Sequence, residues 1–239
     1  MWSGPRNIST AMMRAFENRS DTAVVDEPFY GAYLASTGLG HPMRDAVLAA
    51  QPTDWRAVVD RLMGPVPGGR PVFYQKHMTH HMLADFGLDW MAGCKNAFLI
   101  RPPEQVLASY TAKRAEVSLA DIGFVRQAEL FAREADRLGA APTVIETANV
   151  LANPRAALTV LCAALGIAFS DAMLSWPAGP RQTDGVWAPA WYDAVERSTG
   201  FEAPRRVAGL ADLDAPTRAI AEAARPYYES LAIHRLVIG

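Results

Sequence analysis

The sequence predicts an α/β fold in which helices cover both faces of a central parallel sheet, giving a three-layer α/β/α architecture. Short apolar runs alternate with longer helical segments along the 239 residues, as in parallel strands joined by crossover helices. One run, Ala97–Ile100, is apolar throughout, as expected of a central strand buried on both faces. Because no repeat, low-complexity segment or long linker divides the chain, we expect a single domain over residues 1–239.

Each predicted strand is a short apolar run that ends at polar, proline or glycine residues. The second run ends in Asp26-Glu27-Pro28, and the third follows a break at Pro65–Gly69. In chain order, the predicted strands are Met1–Trp2, Ala23–Val25, Val72–Gln75, Ala97–Ile100 and Thr143–Ile145.

The predicted helices are recognised by apolar residues at helical spacing and by residues that begin or end a helix. In the first helix, Ile8, Met12 and Phe16 lie on one face, and Gly166 is placed to end a later one. The predicted helices are Ile8–Asn18, Met43–Ala50, Trp55–Met63, Glu104–Arg114, Leu119–Leu138, Pro154–Leu165 and Ala215–Leu231.

Composition restricts the class of protein. Half of the residues are apolar and the net charge is −2, with no long block of one sign, which argues against a general nucleic-acid-binding protein. The longest apolar run, Ala156–Phe169, is shorter than the roughly 20 residues that a membrane-spanning helix needs. Two cysteines, Cys94 and Cys162, do not form a disulfide framework. We therefore expect a soluble cytoplasmic protein that binds neither nucleic acid nor membrane.

The loop after the first strand has the composition of an anion-binding site. It leads into a helix, and helix N-termini present unpaired N–H groups to phosphate. Gly4 allows close backbone approach, Arg6 supplies a cation, and Ser9 and Thr10 supply hydroxyls. A simpler interpretation is that a serine only caps the helix. The Gly-Lys pair of a Walker A loop is missing, which disfavours a nucleoside-triphosphate kinase.

The segment Pro5-Arg6-Asn7-Ile8-Ser9-Thr10 resembles the phosphosulfate-binding loop of sulfotransferases, written Pro-Lys/Arg-Ser-Gly-Thr-Thr in many members. The resemblance is to the bacterial and carbohydrate-type branch, and it implies a P-loop nucleoside-triphosphate-hydrolase-like fold. It also implies that the nucleotide 3′-phosphoadenosine 5′-phosphosulfate (PAPS, product PAP) binds here. The chain departs from the pattern at Asn7-Ile8. The implied cofactor-binding residues of the loop are Gly4, Pro5, Arg6, Asn7, Ser9 and Thr10.

A second motif has the spacing of the sulfotransferase 3′-phosphate site. Arg101 ends the fourth predicted strand, and Ser109 follows eight residues later in the next helix. The resemblance implies that both grip the 3′-phosphate of the nucleotide, a task that the planar guanidinium fork suits. The segment Gly179–Trp187 is similar to a late loop that closes over the nucleotide in the family, which makes Arg181 a candidate second cation at this phosphate.

Sulfuryl transfer requires a cation at the leaving phosphate and a base for the acceptor. Arg6 is the candidate cation. Two residues compete as the base: Glu27, which follows a strand as in carbohydrate-type sulfotransferases, and His77, which resembles the base of the cytosolic branch. Lys76 and His77 are adjacent, so in a continuing strand their side chains point to opposite faces. The histidines around His77 lack the ligand pattern of a metal site, and we predict no metal.

The resemblance implies a sulfotransferase that moves a sulfuryl group from PAPS to a hydroxyl or amine of a small-molecule acceptor. Two alternatives stay open: a divergent P-loop kinase of a small metabolite, and a non-catalytic nucleotide-binding homologue. The kinase would use Asp26 as a magnesium ligand. The segments expected to recognise the acceptor are Tyr30–Asp54, His77–Trp90 and Trp187–Phe201.

Overall fold

A computed structural model describes residues 1–114, 116–202 and 207–239 of the chain. These residues form the following strands and helices. The strands are β1 (Trp2–Ser3), β2 (Thr22–Asp26), β3 (Val72–Met78), β4 (Ala97–Ile100) and β5 (Thr143–Glu146). The helices are α1 (Ser9–Glu17), α2 (Tyr30–Thr37), α3 (Arg44–Ala50), α4 (Trp55–Met63), α5 (Pro103–Thr111), α6 (Phe124–Leu138), α7 (Thr147–Ala152), α8 (Pro154–Leu165), α9 (Ala188–Trp191), α10 (Asp193–Arg197) and α11 (Ala215–Ala232).

The chain divides into two compact units, each assembled from separate segments. The first unit comprises Met1–Ser9, Asn96–Phe169 and Glu202–Gly239, and the second comprises Thr10–Lys95 and Ser170–Phe201. Helix α1 begins at the last residue of the first segment and continues in the second unit. The single domain expected over residues 1–239 stays a prediction.

In the first unit, β4 pairs in parallel with both β1 and β5. Trp2 lies opposite Phe98, and Leu99 lies opposite Ile145. All four residues of β4 are buried, which confirms the strand predicted at Ala97–Ile100. Because the three strands are parallel, the loops that follow them leave the same edge of the sheet. These loops carry the candidate phosphate-binding residues.

Helices α5, α6 and α11 of the first unit share an apolar core, built from Val106, Leu107, Ile122, Phe124, Leu213, Ala221 and Ala224. Helix α8 begins where the Asn153 side chain accepts a hydrogen bond from the backbone N–H of Ala156. It ends at Gly166, whose φ of 73° is left-handed. Glycine adopts this conformation without the steric cost that a Cβ brings, and the predicted helix end is confirmed.

In the second unit, β2 and β3 pair in parallel from Thr22 opposite Val72 to Asp26 opposite Lys76. An aromatic core packs beside them, comprising Tyr30, Tyr33, Leu34, Val47, Trp187, Ala188 and Tyr192. The register brings two charged residues, Asp26 and Lys76, to the same end of the strand pair. Their burial there requires that their charges be neutralised locally.

Several elements differ from the sequence predictions: α7, α9 and α10 were also not predicted, and α5 ends at Thr111 instead of Arg114. Three of the differences have a clear physical reason. Strand β3 continues three residues past Gln75, because the polar Lys76 is buried in ion pairs rather than exposed to water. Helix α6 begins at Phe124 instead of Leu119, because Gly123 is left-handed with φ 69°. Helix α2 was not predicted, because its first five residues are all buried and no polar face marks a helical period.

Among the residues that the structure describes, none of the helices combines the length and the apolar character that crossing a bilayer requires.

Candidate active site

The loop between β1 and α1 is tightly packed in the first unit and left-handed at two positions. A Cβ on Gly4 would lie 2.6 Å from the carbonyl oxygen of Ile122, so only glycine fits there. Arg6 and Ile8 have φ values of 56° and 47°. For a β-branched residue such as Ile8 this is a strained conformation, of the kind that is retained at functional sites. The family pattern has glycine at this place, which the backbone geometry explains.

Two motifs far apart in sequence meet in the first unit. Arg6 Nε donates a hydrogen bond to Ser109 Oγ at 2.9 Å, and Arg101 Nη1 donates to the Arg6 carbonyl at 2.8 Å. Arg101 Nε donates to Gln105 Oε1 at 3.3 Å. We name Arg6, Arg101 and Ser109 the arginine site. It places two guanidinium groups and a hydroxyl at the edge where β1 and β4 end.

Within the part of the chain that the structure describes, no carboxylate pairs with Arg101. Its side-chain partners within the described residues are a carbonyl oxygen and an amide oxygen, both neutral. Burial lowers the pKa of Arg101 from its ordinary value, and the charge of Arg6 lowers it further. Two cations that repel each other in a half-buried position favour binding of an external anion, because that anion removes the repulsion.

The other predicted loop residues have different surroundings. Asn7 is buried, and its amide donates to the Leu99 carbonyl at 2.7 Å and accepts a hydrogen bond from Thr147. Its side chain therefore braces the loop against β4 and α7. Ser9 is buried at the start of α1, and Pro5 is half-buried in the turn before it. Thr10, in the second unit, is half-buried in the first turn of α1.

A buried network of charges occupies the second unit, where β2 and β3 end. Lys76 Nζ donates to Asp26 Oδ1 at 2.8 Å, to Glu27 Oε1 at 2.7 Å and to the Tyr192 hydroxyl at 2.7 Å. An ammonium group has three N–H donors, so these bonds use all of them. We name Asp26, Glu27, Lys76 and Tyr192 the carboxylate cluster.

Asp26 is the most completely bonded carboxylate of the cluster. In addition to Lys76, it accepts hydrogen bonds from the Tyr192 hydroxyl at 2.6 Å and from the backbone N–H of Gly185 at 3.2 Å. Trp187 Nε1 donates to the Tyr192 hydroxyl at 3.1 Å. Because these bonds occupy both oxygens of Asp26, its side chain is committed within the protein. A role of Asp26 as the magnesium ligand of a kinase stays a prediction.

Glu27 has the environment expected of a base. Its φ of 39° is left-handed, and its backbone N–H donates to the Lys76 carbonyl at 2.9 Å. Burial raises the pKa of Glu27, Lys76 opposes this shift, and the charge of Asp26 adds to it. Burial alone would lower the pKa of Lys76, but Asp26 and Glu27 raise it above its ordinary value, so the ammonium stays charged. The cluster thus holds a carboxylate with increased proton affinity beside a fixed cation.

The competing base, His77, lies in a different environment. Its Nε2 is 3.1 Å from Gln75 Oε1, and its ring is close to those of Phe29 and Trp90. Burial lowers the pKa of His77 well below its ordinary value. The adjacent Lys76 side chain joins the carboxylate cluster, as expected of neighbouring strand residues that face opposite ways. The choice between Glu27 and His77 as the base stays a prediction.

The late loop places Arg181 among acidic residues of the second unit. Arg181 Nη1 is 3.8 Å from Glu17 Oε2, and the Arg181 backbone N–H donates to Asp184 Oδ2 at 2.7 Å. Asp184 also pairs with the buried Arg14 at 2.7 Å. Arg181 as a cation for the 3′-phosphate stays a prediction, and Glu17 would compete with that phosphate. A Cβ on Gly185 would lie 2.1 Å from the Trp187 ring, so a glycine is required there.

Several residues of these sites were not predicted from the sequence. Asp184 lies in the late-loop segment and Tyr192 in a predicted acceptor segment, but no role was predicted for either. Arg14 lies in an ordinary helical pattern. Within the described ranges, no group of three or more histidine, cysteine or acidic side chains has the arrangement to hold a metal ion.

Comparison with known proteins identifies the family. Two Arabidopsis thaliana proteins, branched-chain-amino-acid aminotransferase-like proteins 1 and 2, are 37% and 35% identical over 206 residues, which is 86% of the chain. The chain spans 36% of the length of each. The solved sulfotransferase domain from the curacin biosynthetic pathway covers 94% of this chain, and the chain covers 95% of that domain, with a TM-score of 0.52 and 15% identity. This likeness confirms the predicted α/β fold class. A family model described as sulfotransferase domain matches residues 1–234, and the chain therefore belongs to the sulfotransferase domain family.

Proposed function

We propose that the chain is a PAPS-dependent sulfotransferase that transfers a sulfuryl group to a hydroxyl or amine of a small-molecule acceptor. The observation that carries the proposal is the arginine site. Arg6, Arg101 and Ser109 come from two separate motifs and meet at one sheet edge, and both partners of the Arg101 side chain are neutral. A guanidinium group whose partners are neutral, as those of Arg101 are, can bind phosphate oxygens through charge-assisted hydrogen bonds.

The residues of the first unit fit the two charged ends of PAPS. Arg101 and Ser109 would hold the 3′-phosphate, and Arg6 with the Gly4–Ser9 loop would hold the 5′-phosphosulfate. When bound, PAPS supplies an activated sulfuryl group whose leaving group is a phosphate. Arg6 would stabilise the negative charge that collects on that phosphate, which is the main task of the protein in transfers of this type.

Glu27 is the base in this proposal. Its raised pKa favours uptake of the acceptor proton, and Lys76 holds one oxygen of the carboxylate in place. Lys76 itself has no N–H left for a ligand, because its donors are bonded to Asp26, Glu27 and Tyr192. It is therefore a positioning residue. His77 is the alternative base.

The experiment that tests the proposal compares PAP with AMP, which lacks the 3′-phosphate. Two charge-assisted contacts of about 1.5 kcal/mol each predict that PAP binds about 100-fold more tightly. At about 100 times its dissociation constant, PAP should stabilise the protein by roughly 2.7 kcal/mol in a thermal shift assay. Arg101→Ala should weaken PAP binding and leave AMP binding nearly unchanged, because AMP has no group at this position.

A matched control removes an arginine elsewhere in the same unit. Arg133 is exposed on α6, and Arg133→Ala should leave the preference for PAP intact. Equal binding of PAP and AMP by the unmodified protein, or tighter binding of ATP than of PAP, would contradict the proposal and favour the kinase alternative.

A further inference from the structure

One oxygen of Glu27 takes no part in the hydrogen bonds of the carboxylate cluster. Lys76 and Tyr192 approach Oε1, at 2.7 and 3.4 Å. The other oxygen, Oε2, lies 3.9 Å from His81 Nδ1, which is too long for a hydrogen bond. Within the described residues, Oε2 is therefore the carboxylate position of Glu27 that is left for an external donor.

His81 directs a second unsatisfied polar atom to the same place. The residue is 2% exposed, and its Nδ1 has no hydrogen-bond partner in the part of the chain that the structure describes. Its ring stacks on Tyr30 and Tyr33, with centroids 4.4 and 4.8 Å away, which fixes its orientation. A buried polar atom without a partner is costly unless a ligand satisfies it.

The ring of His81 is neutral. Burial lowers its pKa well below the ordinary value, and the charged forms of His80, His41, Lys76 and His77 act in the same direction. A neutral imidazole carries one N–H, and the negative charge of Glu27 nearby favours that proton on Nδ1. His81 therefore offers a donor where Glu27 Oε2 offers an acceptor.

Building on the proposed function, we propose that Glu27 Oε2 and His81 Nδ1 together bind the acceptor group, and that this group is an alcohol hydroxyl. For an oxygen about 2.8 Å from both atoms, the angle between its two contacts would be about 90°. This is close to the tetrahedral arrangement around a hydroxyl oxygen. A hydroxyl donates one hydrogen bond and accepts others, so a single atom satisfies both residues.

An amine acceptor fits this pair less well in its usual protonated form, an ammonium group. It has donors and no lone pair, so it would bond to Glu27 Oε2 and leave the N–H of His81 buried without a partner. In the transfer, the hydroxyl proton passes to Oε2 and the oxygen forms the new bond to sulfur. The bond from sulfur to the donor phosphate oxygen breaks, and its electron pair leaves on PAP.

Two variants of His81 separate the hydrogen bond from the packing. His81→Phe keeps a ring against Tyr30 and Tyr33 and removes the donor. His81→Asn gives up the ring and places an amide N–H near the position of Nδ1. The contacts of Glu27 Oε2 and His81 Nδ1 are measured in crystals of the full chain soaked in ethanol or in ethylammonium chloride. Nitrogen NMR shows which ring nitrogen of His81 carries the proton. The His81 resonance is assigned by its absence from the spectrum of His81→Phe.

We expect the Nδ1-protonated tautomer, and an ethanol or water oxygen within about 3.2 Å of both Oε2 and Nδ1. That oxygen should persist in His81→Asn and be lost in His81→Phe. A proton on Nε2, no oxygen at this position, or ethylammonium bound there as well as ethanol would overturn the inference. PAP binding is measured on the same samples. It tests the proposed function separately, because His81 belongs to the second unit and the arginine site to the first.

Discussion

The arginine site of the first unit and the carboxylate cluster of the second place their cations in opposite surroundings. Arg101 is bonded to two neutral oxygens, whereas Lys76 is bonded to two carboxylates and a phenol. When all of its side chains carry their usual charges, the cluster has one excess negative charge, and the arginine site is positive. The arginine site is suited to an external anion, and the carboxylate cluster to an external proton.

A buried or half-buried cation can have either of two roles, and its partners indicate which role it has. Where the partners are neutral, the charge is available to a ligand. Where the donors are fully used, the charge holds other protein groups in place. Substitutions in the two sites should therefore have different effects: loss of folding stability at Lys76, loss of turnover at Glu27 and loss of donor affinity at Arg6.

The largest effect is expected for Lys76→Met, which keeps most of the side-chain volume and removes the charge. Asp26 and Glu27 would then be buried without their shared cation, and breaking a buried pair in this way costs about 3–5 kcal/mol. Urea unfolding followed by circular dichroism measures the free energy of unfolding. The control Lys95→Met makes the same change at an exposed lysine and should alter stability little. A loss below about 1 kcal/mol in Lys76→Met would contradict the positioning role.

A smaller effect, on turnover rather than folding, is expected for Glu27→Gln. The amide cannot accept the acceptor proton, so turnover should fall about 100-fold, or about 2.7 kcal/mol, while PAP binding stays normal. In the unmodified enzyme, kcat/KM should rise as Glu27 deprotonates. Because the pKa of Glu27 is raised, this rise should occur above the pH at which an ordinary glutamate titrates, and Glu27→Gln should remove it.

Glu129→Gln, at an exposed position on α6, is the matched control and should have normal activity. Full activity in Glu27→Gln together with an inactive His77→Ala would assign the role of base to His77.

The smallest effect is expected for Arg6→Ala. The loss of one charge-assisted contact should weaken PAPS binding by about 1.5–2 kcal/mol, since Arg101 still supplies positive charge to the arginine site. Arg6→Lys should keep part of the affinity, because the charge remains and the planar fork is lost. Isothermal titration calorimetry on folded protein measures both. Unchanged PAPS affinity in Arg6→Ala would contradict a role of the β1–α1 loop in PAPS binding.

The fold could be predicted where the burial of an element produces a recognisable pattern of apolar residues in its sequence. Ala97–Ile100 is apolar at every position because both faces of β4 are covered, so the strand was found with correct bounds. Tyr30–Thr37 is also largely buried, but a helix without a polar face has no visible period, and α2 was missed. The late start of α6 depends on the left-handed Gly123, a conformation that composition does not specify.

The arginine site could be located from the sequence because its residues lie in two recognisable motifs. The carboxylate cluster could be located only in part. Glu27 and Lys76 stand at predicted strand ends, but their partner Tyr192 lies 165 residues from Glu27 in a segment without a motif. The ion pair between Asp26 and Lys76 follows from the register of β2 with β3, which depends on how the whole unit packs.

The segmented order of the first unit has a consequence for how the protein is made. Arg6 and Ser109 are separated by 103 positions, and the 86 residues from Thr10 to Lys95 that intervene in sequence belong to the second unit. During synthesis, β1 leaves the ribosome long before its partner β4 has been made. The loop between β1 and α1 cannot reach its final structure until β4 is available. Closing so long a segment of chain is slow. We therefore expect the arginine site to form late in folding, after the second unit has begun to form around β2 and β3.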